Sequence, residues 1–149
     1  MIHIDRNLIQ EIRAHGGWAY PHECCGALLG HSDGGVKKVM QVLPVENSVP
    51  ENSERRYLIT PEAYRRIERE ADGQGLEFLG LYHSHPDHPS RPSQFDLDHA
   101  MPCWSYIIVS VAEGRPEGMH AWVLREDRSG FDEEEFVTDV AQEQIARQT

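Results

Sequence analysis

Residues Tyr82 to Ala100 read YHSHPDHPSRPSQFDLDHA. Of the nine histidines in the chain, His83, His85, His88 and His99 fall in this stretch, beside Asp87, Asp96, Asp98 and three prolines. Imidazoles and carboxylates are the side chains that move protons and bind transition metals near neutral pH, so their concentration at one bend points to site chemistry. His83 and His85 close LEFLGLYHSH, an apolar, β-prone run. Residues i and i+2 of a strand project from the same face, so both imidazoles point the same way. Two neutral imidazoles side by side make a platform for a transition metal, typically zinc at about 2.0–2.1 Å. Pro86 has no N–H for a ladder and ends the strand. Pro89 and Pro92 stiffen the turn that delivers Ser93.

Ser93-Gln94-Phe95-Asp96 supports two readings that can coexist. Ser93 can cap a helix with Asp96 three residues on, although Glu or Gln is the usual partner there. Asp96 can also be a third metal ligand, one turn into that helix. Two histidines and one carboxylate leave the fourth tetrahedral position open, the arrangement of a catalytic zinc rather than a structural one. Ser84 points to the opposite face of the strand and reads as packing. His88 and His99 read as loop and capping groups, with His99 a candidate to orient a ligand.

The string HxHP, six residues, then SxxD is filled here by His83, His85, Pro86, Ser93 and Asp96. It resembles the motif of the JAMM (MPN+) metallopeptidases, compact prokaryotic type. That family carries an upstream glutamate, matched by Glu23 in PHECCGALLG. The resemblance implies one Zn2+ per chain held by His83, His85 and Asp96, with Glu23 passing a proton from water to the leaving amine. It implies Ser93 as a hydrogen-bond donor to the developing oxyanion. It implies an α+β fold, a single domain over 1–149 with a mixed β-sheet flanked by helices, cytidine-deaminase-like.

Members of this family cut amide bonds after the carboxyl-terminal glycines of ubiquitin-fold proteins. Compact prokaryotic ones resemble processing enzymes for sulfur carriers of the ThiS and MoaD kind, so a ubiquitin-like or sulfur-carrier protein is the expected substrate partner. Two rivals are a non-catalytic scaffold of the same fold and a RadC-like, DNA-associated member. RadC-like proteins carry Ser-Gly where this chain has Asp87-His88.

The bulk composition agrees with a single globular domain. The 149 residues suit one domain, and 39% are hydrophobic. Lys plus Arg number 14 against 25 Asp plus Glu, a formal charge of −11, whereas a nucleic-acid binder needs clustered Lys and Arg. No apolar run approaches the roughly 20 residues of a membrane span, and the first residues lack a signal-peptide pattern. A cytoplasmic location, with neither nucleic acid nor membrane as partner, is the expectation. No oligomeric state is fixed by the sequence, a dimer included. Cys24, Cys25 and Cys103 are an odd set without CxxC spacing, expected as reduced, mostly buried thiols. A cysteine nucleophile would have only His22 nearby, and no GxSxG elbow is present for a serine enzyme.

The elements that must position the site follow from the patterning. Leu8, Ile9, Ile12 and Trp18 predict a first helix over Arg6 to Ala19, ended by Pro21. CGALLGHSDGG predicts a short strand running into a turn at Asp33-Gly34-Gly35, and VKKVMQVLPVEN a second strand, together a hairpin. Residues 47–60 read as a polar excursion, of which Asn47 to Arg56 is expected to border the substrate groove. Thr60-Pro61-Glu62 starts a second helix that Gly73 and Gly75 stop. LEFLGLYHSH is expected in mid-sheet with helices over its faces, since it lacks polar alternation. SQFDLDHAM predicts a short helix, and SYIIVSVAE and GMHAWVLRE predict strands around Gly114-Arg115-Pro116. FDEEEFVTD is expected as one last strand, and the final ten residues as a weak helix or tail.

Overall fold

The computed structural model describes residues 1–138, so the expectation for the final ten residues lies outside it. The elements run β1 (Ile2–Ile4), α1 (Arg6–Ala19), β2 (Cys25–Asp33), β3 (Val36–Val45), α2 (Pro61–Gln74), β4 (Glu77–Pro86), α3 (Gln94–His99), β5 (Ser105–Ala112), β6 (Arg115–Leu124), β7 (Phe131–Glu134) and β8 (Phe136–Val137). The strands form one mixed sheet in the order β7-β6-β5-β4-β2-β3-β1-β8. β4 lies between β2, antiparallel to it, and β5, parallel to it. Residues Leu79 to Pro86 are buried throughout, as a strand covered on both faces must be.

Local chemistry explains the elements. The β2–β3 turn needs Gly34 and Gly35, whose φ of 57° and 84° belong to the left-handed region. Thr60 caps α2 by accepting the Ala63 N–H at 3.1 Å, with Pro61 at the first helical position. The helix runs through Gly73 and stops only at Gly75, whose left-handed conformation closes its end. Each sheet face carries one long helix. Ile12 of α1 packs with Leu28, Tyr82, Ile107 and Val109, while Ala63 and Ile67 of α2 pack with Ala27, Leu29, Leu81 and Tyr106.

Three expectations are corrected. Trp18 does not belong to the buried face of α1; it is 90% exposed. Gly16 takes that face instead, against Val109 and Val111, and Trp18, two residues on, points about 200° away. The segment after Gly130 is two strands rather than one. β7 pairs with β6 and β8 with β1, so opposite edges of the sheet are joined through Glu135 alone. One short segment thus pairs with both edges of the ladder order, and β1, its partner at the far edge, was too short to be legible. The β5–β6 turn is Glu113-Gly114, and Pro116 sits inside β6 beside a register shift. No helix among the described residues is long and apolar enough to cross a membrane.

Gly80 approaches β5 so closely that a methyl group there would overlap the Ser105 carbonyl, whereas nothing lies within 4 Å of the same position on Gly73. Gly80→Ala should therefore destabilise the protein by about 3 kcal/mol or more. Gly73→Ala, inside a helix, should stabilise it by about 0.5–1 kcal/mol. Urea denaturation of both variants reads the opposite signs.

Candidate active site

The register of β2 against β4 assembles the site. Cys25 stands opposite His83. Cys24 and Ser84 are bonded both ways, the Ser84 N–H donating to the Cys24 carbonyl at 3.2 Å and the Cys24 N–H to Ser84 Oγ at 2.8 Å. Continuing this antiparallel count puts Glu23 beside His85. Ser84 is thus fully buried and structural, as its opposite facing suggested. The Glu23 backbone is held by the 46–60 loop: its N–H donates to the Ser53 carbonyl, and its carbonyl accepts from Asn47 Nδ2 at 3.0 Å.

His83 Nε2 lies 3.2 Å from Asp96 Oδ1 and 3.2 Å from His85 Nε2, and His85 Nε2 lies 3.1 Å from Asp96 Oδ2. All three side chains are buried. Ser93 and Asp96 form a reciprocal capping box at the start of α3, with Asp96 N–H donating to Ser93 Oγ at 3.1 Å and Ser93 N–H to Asp96 Oδ2 at 2.8 Å. The cap and the site therefore share one carboxylate. Ser93 Oγ accepts in the cap and keeps its own hydroxyl proton for another partner.

The donor set fits a tetrahedral cation. Ligand atoms at about 2.0–2.1 Å on tetrahedral corners stand about 3.3 Å apart, close to the three distances found. His85 donates Nδ1–H to the Pro89 carbonyl at 2.8 Å, which fixes the tautomer and leaves Nε2 a bare lone pair. Nε2 faces a carboxylate oxygen at 3.1 Å, and either a proton or a metal cation between the two satisfies both. The ring of His83 stacks on Tyr57 at 4.5 Å between centroids. Its Nδ1 has no partner among the described residues, and its Nε2 faces Asp96 and His85. Glu23 also falls within 4.8 Å of both histidines, but the Asp96 oxygens are nearer and Glu23 reads as a neighbour of the cluster.

Electrostatics separates the two carboxylates. Burial opposes ionisation of Asp96, yet the charges and hydrogen bonds of His83 and His85 outweigh it and hold its carboxyl well below the usual range. Burial pushes the Glu23 carboxyl up to about 8, with His85 pulling it back and Asp96 adding to the rise. Its Oε1 is buried without a partner among the described residues. A carboxyl so placed accepts and returns a proton readily near neutrality. In front of it opens a cleft of about 310 Å³ lined by Glu23, His85, Ser93, His88, Arg55 and Arg91.

All five residues singled out from the sequence come together here. His99 does not: it is exposed, stacked on Phe95 and bonded to its carbonyl, a capping group only. His88 is an exposed loop residue at the cleft. The cysteines are thiols without a nucleophile's setting, since burial pushes Cys24 up to about 11 and Cys25 up to about 12. Nearby His22 is engaged with Ser53 instead. Cys103 departs from the expected burial and is exposed. Tyr57, Arg55, Arg91 and the Pro89 carbonyl were missed, because nothing in a polar loop marks which side chain turns inward.

Residues 5–125 match the family described as prokaryotic homologs of the JAB domain. The chain belongs to the prokaryotic JAB family. A relative from Thermus thermophilus, described as a probable TtuB-protein conjugate cleaving protease, is 30% identical over 126 residues, 85% of this chain and 78% of that one. A desampylase from Haloferax volcanii is 35% identical over 109 residues, 72% of this chain and 75% of its own. A solved structure described as "JAMM: A Metalloprotease-like Zinc Site in the Proteasome and Signalosome" superposes with a TM-score of 0.56 at 21% identity. It covers 93% of this chain and 97% of that one, and it shares the JAB fold.

Asn47 ties this JAB site to its loop: Nδ2 donates to Glu23 and Arg56 carbonyls, and Oδ1 accepts from Val49 and Leu58 N–H groups. Asn47→Asp cannot donate and would face two carbonyl oxygens with a negative charge. It should cost about 1–3 kcal/mol and speed amide hydrogen exchange across residues 47–58, as mass spectrometry of exchanged peptides would read.

Proposed function

We propose that this JAMM-type hydrolase is a zinc-dependent (iso)peptidase. Its reaction is hydrolysis of the amide bond after the carboxyl-terminal Gly-Gly of a ubiquitin-like or sulfur-carrier protein, releasing the carrier and an amino acid or protein. The observation that carries this reading is the triangle of His83, His85 and Asp96, with 3.1–3.2 Å edges, beside a buried glutamate at an open cleft. The relatives support it by their descriptions as a conjugate cleaving protease and a desampylase. The structural neighbour named for a zinc site supports the choice of metal.

His83, His85 and Asp96 would hold the ion, one per chain. Zinc bound there would polarise the scissile carbonyl and acidify a water molecule. Glu23 takes the water's proton at its unpartnered oxygen and delivers it to the leaving amine. The burial that raises its pKa also keeps solvent from competing for that proton. Ser93, whose Oγ already accepts the Asp96 N–H in the helix cap, donates a hydrogen bond from its hydroxyl to the oxyanion formed from the carbonyl. The Pro89 carbonyl and the Tyr57 ring hold the two imidazoles in register. A thin diglycine tail can lie extended in the cleft. The acidic surface counts against a DNA-associated role, and the convergence of all five side chains counts against a scaffold.

Purified protein should carry about one zinc, and alanine at His83, His85 or Asp96 should sharply lower that content by elemental analysis. A full equivalent in the triple variant would refute the ligand assignment. Glu23→Gln should keep the zinc while single-turnover cleavage of a diglycine-linked conjugate falls by about 10²–10⁴-fold. Ser93→Ala should lose about 10²–10³-fold. Near-normal turnover in Glu23→Gln would reject the proton-transfer role.

A further inference from the structure

The cleft rim runs against the overall charge of the molecule. The chain has a formal charge of −11, yet Arg55 and Arg91 both line the space in front of Glu23 and His85. Several arginines away from the cleft are occupied. Arg125 pairs with Asp132 at 2.8 Å, Arg128 donates to the Ala100 and Leu97 carbonyls, and Arg56 lies over the Phe95 ring. Arg55 and Arg91 make no side-chain hydrogen bond or ion pair with any of the described residues. Two guanidiniums lining one cleft offer an anion bound between them charge-assisted hydrogen bonds from both sides.

Their chain positions say which part of a substrate they would meet. Arg55 is two residues past Ser53, whose carbonyl accepts the Glu23 N–H. It therefore stands on the Glu23 side of the cleft, where the leaving amine is protonated. Arg91 follows Pro89, whose carbonyl takes both the His85 Nδ1–H and the Arg91 N–H at 2.8 Å. In an α-amino acid the carboxylate oxygens lie only about 3–4 Å from the amine nitrogen, given ordinary bond lengths. Such a leaving group brings its negative charge to the arginines at the moment Glu23 serves its nitrogen. The ε-amine of a protein lysine brings no carboxylate there.

We infer that Arg55 and Arg91 form a carboxylate-binding subsite selecting a linear substrate, an amino acid with a free α-carboxylate joined through its α-amine to the carrier's terminal glycine. The inference rests on the peptidase reading above. Hydrolysis consumes one water: the glycine carbonyl carbon–nitrogen bond breaks, a carbon–oxygen bond forms, and the proton lost by water ends on the leaving amine. The products are a glycine carboxylate and a free amino acid.

The test uses peptides ending in Gly-Gly plus one residue as the free acid, the same peptides as carboxamides, and Gly-Gly joined to the ε-amine of a blocked lysine. Cleavage is measured with the full, metal-replete chain, and binding by calorimetry with its Glu23→Gln form. The free acid should be preferred about 10–100-fold in kcat/KM and bound at least about tenfold more tightly, the advantage shrinking with added salt. Arg55→Ala and Arg91→Ala should bring the acid down to the level of the carboxamide, chiefly through KM. Arg91→Lys should recover only part, since an ammonium lacks the bidentate fork. Equal handling of acid and carboxamide, or preference for the lysyl compound, would overturn the subsite and leave the peptidase reading intact. Tighter binding of the acid with no peptide cleaved would support the subsite and overturn the peptidase reading. Neither binding nor cleavage would overturn both.

Discussion

The site depends on one geometric constraint, the two-residue repeat of a central strand. His83 and His85 share a face only because β4 stays extended to its last residue, and it stays extended because β2 and β5 hold both of its edges. A helix would have turned the two imidazoles about 200° apart. The same ladder sets where Glu23 arrives, since the pairing of Cys25 with His83 leaves no choice for the residue two positions earlier. A one-residue slip would carry Ser84 to the cleft and both histidines into the α1 core. The close approach of Gly80 to Ser105 and of Gly26 to the Tyr82 ring forbids that slip, because neither contact tolerates a Cβ.

Around that strand, polar groups are buried in pairs that satisfy each other. Asp96 could not be carried under the surface alone at acceptable cost. It accepts from its own helix cap and meets both imidazoles, so its charge is stabilised on three sides. Glu23 is buried to a similar degree but has an oxygen without a partner among the described residues. One carboxylate is locked as an anion and the other is left ready to exchange a proton. The difference comes from the surroundings and not from the residue type.

The parts of this protein legible in its sequence are those with local signals. The β2–β3 hairpin announced itself by glycines that must adopt positive φ, α2 by Thr60-Pro61, and the triangle of His83, His85 and Asp96 by a spacing that strand and cap geometry convert directly into proximity. Trp18 misled because a loose apolar pattern fits a helix without saying which face is buried; only the contact of Gly16 with β5 decides it. The closing strands β1 and β8 were illegible because three- and two-residue strands carry no period. FDEEEFVTD reads as one strand, and its division at Glu135 follows from tertiary pairing at two distant edges. Tyr57 and the Pro89 carbonyl act through contacts made across long gaps in the chain, which no spacing encodes.

The least regular segment carries the greatest functional load. Residues 46–60 have no helix or strand, and ordering so long a loop costs backbone entropy at every position. Asn47 offsets part of that cost by acting as an internal spacer that satisfies four backbone groups at once. What the ordered loop supplies is concentrated at one end of the sheet: Ser53 on the Glu23 backbone, Tyr57 against His83, and Arg55 at the cleft rim. The Glu23 backbone, the His83 ring and the rim charge are thus all contacted or supplied by one segment outside the eight-stranded framework. The sheet fixes where His83 and His85 stand, because its geometry allows no slip. The loop shapes one wall of the cleft, and it can change its side chains without disturbing a single ladder bond.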